Sequence, residues 1–152
     1  MVNIREAKSS DAEAMRAVAQ HAFHIYVDRM GKQPAPMLAN FDYHLRFDSC
    51  LIAELDDEIT AYVVGYVIIQ FDDTEPLLDT IAVLPEHQGK RIGKALLLAA
   101  EALIGTAGYK SYQLYTNIHM TENIIWYERL GFTAFKTIIE DGFDRIYMRK
   151  TL

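Results

Sequence analysis

The sequence has one cysteine, four prolines, eight glycines and one tryptophan in 152 residues. Each shortage removes a class of protein. A single thiol builds no disulfide framework, so Cys50, in the apolar run Cys50, Leu51, Ile52, Ala53, reads as a buried thiol in a reducing compartment. So little Gly and Pro is not the composition of a fibrous or disordered chain. No apolar run approaches the roughly 20 residues of a membrane span, and the opening Met1, Val2, Asn3, Ile4, Arg5, Glu6 has no basic segment leading into an apolar core. A cytoplasmic location without membrane attachment is therefore expected. Positive charge is short as well: 15 Lys and Arg against 21 Asp and Glu leave a net charge of −6, which argues against nucleic acid and suits a cationic substrate. What is plentiful is apolar residue, 51% of the chain, enough for one domain over residues 1–152 to bury a core.

Patterning gives the order of elements. Val2 to Arg5 starts a strand, and Ser10 and Glu13 have capping-box spacing ahead of Met15, Val18, Ala19, Ala22 and Tyr26, which recur as one helical face up to Gly31. A weaker helix is signalled between Met37 and Phe47. Ser49 to Leu55 and Ile59 to Phe71 read as a hairpin turning at Asp56 and Asp57, with Gly65 marking a bulge or a close backbone approach. An acidic turn, Asp72 to Pro76, precedes a strand from Leu77 to Leu84. A largely covered helix runs from Ile92 to Ile104, then a strand from Tyr112 to Thr116 and a helix from Met120 to Leu130 with Gly131 as its C′ residue. A second hairpin, Phe132 to Ile139 and Arg145 to Lys150, turns at Asp141 and Gly142.

Chemistry concentrates where the Leu77 strand meets the covered helix, in Gln88, Gly89, Lys90, Arg91, Ile92, Gly93, Lys94. The first N–H groups of a helix lack intrahelical partners and sit at the positive end of its dipole, so a loop that delivers an anion there is a phosphate site. Gly89 and Gly93 permit close backbone approach, while Lys90, Arg91 and Lys94 add positive charge in an acidic protein. The alternative is a plain αβ connection with solvated lysines. A P-loop is excluded because no Gly-Lys-Ser/Thr ending is present, and a dinucleotide fingerprint because G-x-G-x-x-G is absent.

This segment resembles the phosphate loop of the GNAT superfamily of acetyl-CoA-dependent N-acetyltransferases, Gln or Arg, x, x, Gly, x, then Gly or Ala, with Arg91 standing where the first motif glycine usually lies. That side chain must point away from the phosphates or reach around them. A second segment, Asn123 to Tyr127 followed by Gly131 and Phe132, is similar to the family's Asn, x, x, x, Tyr, x, x, x, Gly-Phe pattern. Asn123 and Tyr127 are four apart on one helix and share a face, so both can meet one ligand, whereas Trp126, about 100° around, reads as core.

The resemblance implies an α/β (α+β) GNAT-like fold: a central mixed, mostly antiparallel sheet of six to seven strands, about four flanking helices and a splayed pair of central strands. It also implies acetyl-CoA as co-substrate, its pantetheine arm paired with the backbone of Ile81, Ala82 and Val83 and its phosphates held by Gln88, Gly89, Lys90, Arg91, Ile92, Gly93 and Lys94. Asn123 and Tyr127 complete the cofactor set, and Asn117 meets either the cofactor or the acceptor. The reaction is direct attack by a primary amine in a ternary complex. A lysine-like amine with pKa near ~10.4 is mostly protonated at neutral pH, a cost of roughly 4 to 5 kcal/mol without help, so a base or a water path is needed. Tyr127 matches the tyrosine that protonates the leaving thiolate, and a backbone N–H such as that of Ile81 stabilises the oxyanion. Asp79 shares strand parity with Ile81 and Val83 and is either the base or a solvated strand end.

The family's acceptor pocket falls near the first helices, here Tyr26, Asp28, Arg29, Met30, Pro36, Met37, Asp42 and Tyr43, of which Tyr26, Arg29, Met37 and Tyr43 are the candidate contacts for a small amine or a protein amino group. His87 and His119 lack partners at metal-ligand spacing, read as surface residues, and no metal is implied. A homodimer stays open, as do a non-catalytic acyl-CoA-binding regulatory module and an interaction domain with an empty loop.

Overall fold

The computed structural model describes residues 2–57, 59–72 and 74–152; Met1 of the opening segment and Asp73 of the acidic turn lie outside them. Its strands are β1 (Val2–Glu6), β2 (Ser49–Asp56), β3 (Ala61–Gln70), β4 (Leu77–Val83), β5 (Ser111–Asn117), β6 (Thr133–Glu140) and β7 (Phe143–Thr151). Its helices are α1 (Ala12–Phe23), the single turn α2 (Val27–Met30), α3 (Phe41–Phe47), α4 (Ile92–Thr106) and α5 (Thr121–Arg129). Among the described residues the strands form one seven-stranded sheet, β1-β2-β3-β4-β5-β7-β6, in which only β4 and β5 run parallel. The expected fold class holds, and no described helix is long and apolar enough to cross a membrane.

The first helix departs from its expected form at both ends. Ser10 does not cap it. Asp11 is the N-cap residue, and its carboxylate accepts the Lys8 N–H at 2.6 Å and both terminal nitrogens of Arg5 at 2.8 and 2.9 Å. Arg5 also donates to Glu54 at 2.9 Å, so one guanidinium ties β1, β2 and the start of α1 together and holds the Asp11 carboxyl below the usual carboxylate range. At the other end the helix tightens into a 3-10 turn over His24–Tyr26, resumes as α2 and stops at Gly31, whose φ of 70° suits a residue without a Cβ.

Apolar periodicity accounts for a core on each face of the sheet. Met15, Val18, Ala19 and Ala22 of α1 and Phe41 of α3 bury against Ile52, Tyr66, Ile68 and Ala82. Leu96, Leu97, Ala100 and Ile104 of α4 bury against Val64, Val67, Ile69, Leu78, Ile81 and Leu114 on the other side. Each fully covered Leu or Ile is worth roughly 1.5–3 kcal/mol, which is why the sheet does not separate from these helices.

Two irregularities shape the centre. A Cβ on Gly65 would stand 2.8 Å from the Ala82 carbonyl oxygen, so glycine is required for β3 and β4 to approach as they do. Between β4 and β5 the pairing consists of Leu77 with Gln113 and Leu78 with Leu114; beyond it the strands diverge, and among the described residues no strand pairs with the β5-facing edge of β4 from Asp79 to Val83. The register of β3 against β4 slips at the same place, Ile69 facing Leu78 and Ile68 facing Thr80, which makes Asp79 a bulge residue. Strict alternation would put Leu78 and Ile81 on opposite faces, yet both lie in the α4 core. Asp79 therefore does not share a face with Ile81 and Val83 as alternation predicts. Its carboxylate turns toward the α1/α3 side, where His44 Nε2 lies 3.8 Å away.

Candidate active site

The loop after β4 is built to leave a helix end open. Pro85–His87 forms a 3-10 turn, Gly89 adopts φ 78°, and Arg91 takes the left-handed conformation at φ 64° as the N-cap of α4. For a residue with a Cβ that conformation costs roughly 1–2 kcal/mol. Among the described residues no side chain caps the first turn of α4, so its N–H groups face outward at the positive end of the dipole. Gly93 lets the Trp126 indole close on this turn, since a Cβ there would lie 3.2 Å from the ring.

These pieces line a cleft with about 1280 Å³ of empty space, its open mouth included, bounded by the free edge Ile81–Val83, the loop residues Gln88, Gly89 and Arg91, the α4 residues Ile92, Gly93 and Lys94, and Asn123, Trp126 and Tyr127 of α5. Of the expected loop set, Lys90 is exposed and stands outside the lining. Gln88 folds inward, its amide donating to the Val83 carbonyl at 3.1 Å, and so braces the loop against the strand. Trp126 packs on the core as expected and lines the cleft as well, whereas His87, expected at the surface, is a half-buried cleft residue whose Nδ1 is enclosed without a partner among the described residues. Tyr26 also lies here, its phenol pushed up to about 12 by burial and by Glu122.

A second pocket, with about 500 Å³ of empty space, its open mouth included, lies on the other side of the splay. It shares Phe23, Ile81, Asn123 and Tyr127 with the first, so the two meet at the Tyr127 side chain. Tyr127 is wedged against Trp126 and Phe132, and burial raises its hydroxyl well above the ordinary tyrosine value, which keeps the proton on the oxygen. Asp79 sits in the second pocket, accepting the Tyr115 hydroxyl at 3.0 Å and the Thr80 hydroxyl at 3.0 Å. Behind it, His44 hydrogen-bonds Asp48 at 2.7 Å, and Cys50 is buried beside them with its thiol pushed up to about 12, mainly by desolvation.

The remaining candidates divide. Asn117 lies on the second pocket's side, where its Oδ1 accepts the His119 N–H at 3.0 Å and closes a turn. Met30 and Pro36 line that pocket, as the early segment predicts, but the four contacts chosen from the segment do not. Met37 is buried in the α1 core, Tyr43 is 54% exposed with its ring tilted against Phe47, Arg29 is paired with Glu122 at 2.7 Å, and Tyr26 belongs to the larger cleft. A short helical segment turns its residues to different sides, and no contiguous pattern marks which of them face inward. The pocket's other polar residues include Thr80, Tyr115, Thr116 and Arg145, which come from strands that sequence separates and carry no shared local pattern.

A family model for the Acetyltransferase (GNAT) domain matches residues 46–134. The chain is 38% identical over 72 residues to the spore coat polysaccharide biosynthesis protein SpsD of Bacillus subtilis, and 42% identical over 55 residues to the mycothiol acetyltransferase of Pseudarthrobacter chlorophenolicus. These stretches cover 47% and 36% of the chain but only 25% and 17% of those two proteins. In fold it is similar to the PaiA N-acetyltransferase of Thermoplasma acidophilum in complex with coenzyme A, with a TM-score of 0.80 over 100% of this chain and 99% of the other at 20% identity. The ribosomal-protein-S18-alanine N-acetyltransferase of Escherichia coli superposes with a TM-score of 0.75 over 99% and 94% of the two chains at 19% identity.

Proposed function

The chain belongs to the GNAT acetyltransferase family, whose enzymes use acetyl-CoA as co-substrate, and from that premise we propose that residues 1–152 act as one N-acetyltransferase domain in the cytoplasm that acetylates a primary amine by direct attack in a ternary complex. The observation that carries the proposal is the meeting of two pockets at Tyr127, one ending in an open helix N-terminus and a free strand edge, the other holding a carboxylate.

The larger cleft fits coenzyme A in chemistry. Free N–H groups at the start of α4, with Arg91 and Lys94 beside them, suit a pyrophosphate, and the unpaired edge Ile81–Val83 suits the amide groups of a pantetheine arm. Acetyl-CoA supplies an acyl thioester. Asp79 takes the proton of the incoming ammonium, directly or through water, and the neutral nitrogen forms its bond to the acyl carbon. A free N–H on β4, such as that of Ile81, stabilises the oxyanion. As the carbon–sulfur bond breaks, Tyr127 gives its proton to the sulfur, for which a phenol that holds its proton across the neutral range is suited, and regains one, directly or through water, from the nitrogen as it becomes the amide; Asp79 then releases its proton to solvent.

Acetyl transfer is tested by incubating the protein with acetyl-CoA and a panel of amines and reading free thiol, alongside thermal unfolding with CoA, acetyl-CoA and ATP. Turnover is expected, together with stabilisation by both CoA species and not by ATP; a ligand at 100 times its Kd adds about 2.7 kcal/mol. Tyr127→Phe should keep the CoA shift and lose roughly 10²-fold in kcat. A CoA shift with no turnover would replace the enzyme by an acyl-CoA-binding regulatory module. No shift near a millimolar of any CoA species would leave an interaction domain.

A further inference from the structure

The second pocket holds two opposite charges on one tyrosine. Tyr115 donates its hydroxyl to Asp79, and the Arg145 guanidinium stacks over the same ring with Cζ 4.3 Å from the centroid. Asp79 and Arg145 thus face the cavity about a ring apart, both among its lining. The Arg145 side chain is only 11% exposed, yet its ion pairs are long: Glu140 Oε1 at 3.5 Å and Asp141 Oδ2 at 3.8 Å. A charge-assisted N–H···O bond closes to about 2.7–2.9 Å. Glu140 is engaged by the Tyr147 hydroxyl, and Asp141 sits at the exposed hairpin tip with its side chain 86% in solvent. A guanidinium taken this far out of water has lost hydration that these contacts only partly replace, and its planar fork matches a carboxylate.

The compartment is also the smaller of the two. Lys32, from the loop after α2, hydrogen-bonds the Gly142 carbonyl and lies 4.1 Å from the ring centroid of Phe143, a wall residue, which joins that loop to the β6–β7 turn beside the pocket. Its apolar walls are Phe23, Met30, Pro36 and Phe143.

We propose that the acceptor is a small zwitterion of the amino-acid class, its amine at Asp79, its carboxylate on Arg145 in place of the loose Glu140 and Asp141 contacts, and its side chain against the apolar wall. This rests on the acetyltransferase reading and narrows its acceptor.

The test compares kcat/KM for amino acids with their carboxamides and with the amines that lack the carboxyl group altogether. The carboxylate should be worth about 10²-fold in the wild-type protein, the scale of a hydrogen-bonded charge pair. In Arg145→Gln the ratio between carboxylate and carboxamide acceptors should fall toward one, mainly through KM of the carboxylate form, and Arg145→Lys should recover part of it. Unfolding with and without CoA establishes that both variants fold and bind the nucleotide. Carboxamides or simple amines used as well as the amino acids by the wild-type protein would overturn the zwitterion while leaving the acetyltransferase standing. A CoA shift without transfer to any amine, or no CoA shift at all, would remove the underlying reading and this proposal with it.

Discussion

The two pockets that meet at Tyr127 are made of different material. The larger cleft is formed by main chain: a strand edge without a neighbour, an uncapped helix end, and glycines at Gly89 and Gly93 that keep side chains out of the way. The smaller pocket is formed by side chains already engaged with one another, Asp79 with Tyr115 and Thr80, and Arg145 over Tyr115. A main-chain site tolerates changes of side chain and resists changes of backbone conformation. A side-chain site behaves in the opposite way, so it is where relatives of one fold can differ in what they accept.

The largest break in that contrast is expected on the side-chain side. Asp79→Asn keeps shape and one hydrogen-bond acceptor but removes the base, and should lower kcat about 10³-fold while the CoA-induced shift in unfolding stays as in the wild type. Steady-state kinetics with a calorimetric titration of CoA separates the two readouts. Equal loss of both would mean the pockets are not independent.

A change remote from both should strike them together. Asp11→Asn removes the carboxylate that Arg5 clamps to the sheet and should cost about 2 kcal/mol near neutral pH. Because the folded-state pKa of Asp11 is lowered, its contribution is present above the unfolded carboxylate value near ~3.9 and is lost as pH falls through the folded value. Denaturant titrations across the acid range should show the variant and the wild type converging at the acid end.

The smallest effect probes the main-chain side. Arg91→Gly relieves a left-handed backbone at the cost of a more flexible unfolded chain, a net gain of about 0.5–1 kcal/mol, and removes a guanidinium from the cleft, weakening CoA by no more than about fivefold. Unchanged CoA affinity would mean that the Arg91 side chain points away from the phosphates.

The same difference in material decides what could be read before the fold was known. Main-chain sites need particular residues at fixed spacing within one segment, so Gln88 to Lys94 and Asn123 to Phe132 were legible, as were the strand order and the helices whose apolar period is regular. The smaller pocket draws on residues within 23–36, 78–81, 115–127 and 143–145, and no local pattern shows that Arg145 will face Asp79. The Asp79 bulge was hidden for a similar reason: alternation carries no signal for one extra residue, and the partner strand decides where it is absorbed. Asp79 thus lacks the parity that alternation predicts for it. That Asp11 rather than Ser10 stands at the N-cap position of α1 goes with its clamp to Arg5 of β1, a contact that no helical pattern encodes.

Two rungs, Leu77 with Gln113 and Leu78 with Leu114, hold the halves of the sheet together at the splay. They form a fulcrum. The free stretch of β4 beyond them is five residues long, an arm of roughly 16 Å at about 3.3 Å per residue. A tilt of about 4° at the fulcrum moves the far end of that arm by about an ångström, a misplacement that can cost 10²-fold in rate. Leu78, which borders the smaller pocket next to Asp79, and Leu114, both buried, therefore act as a hinge pin whose trimming would be felt as lost alignment before it was felt as lost stability.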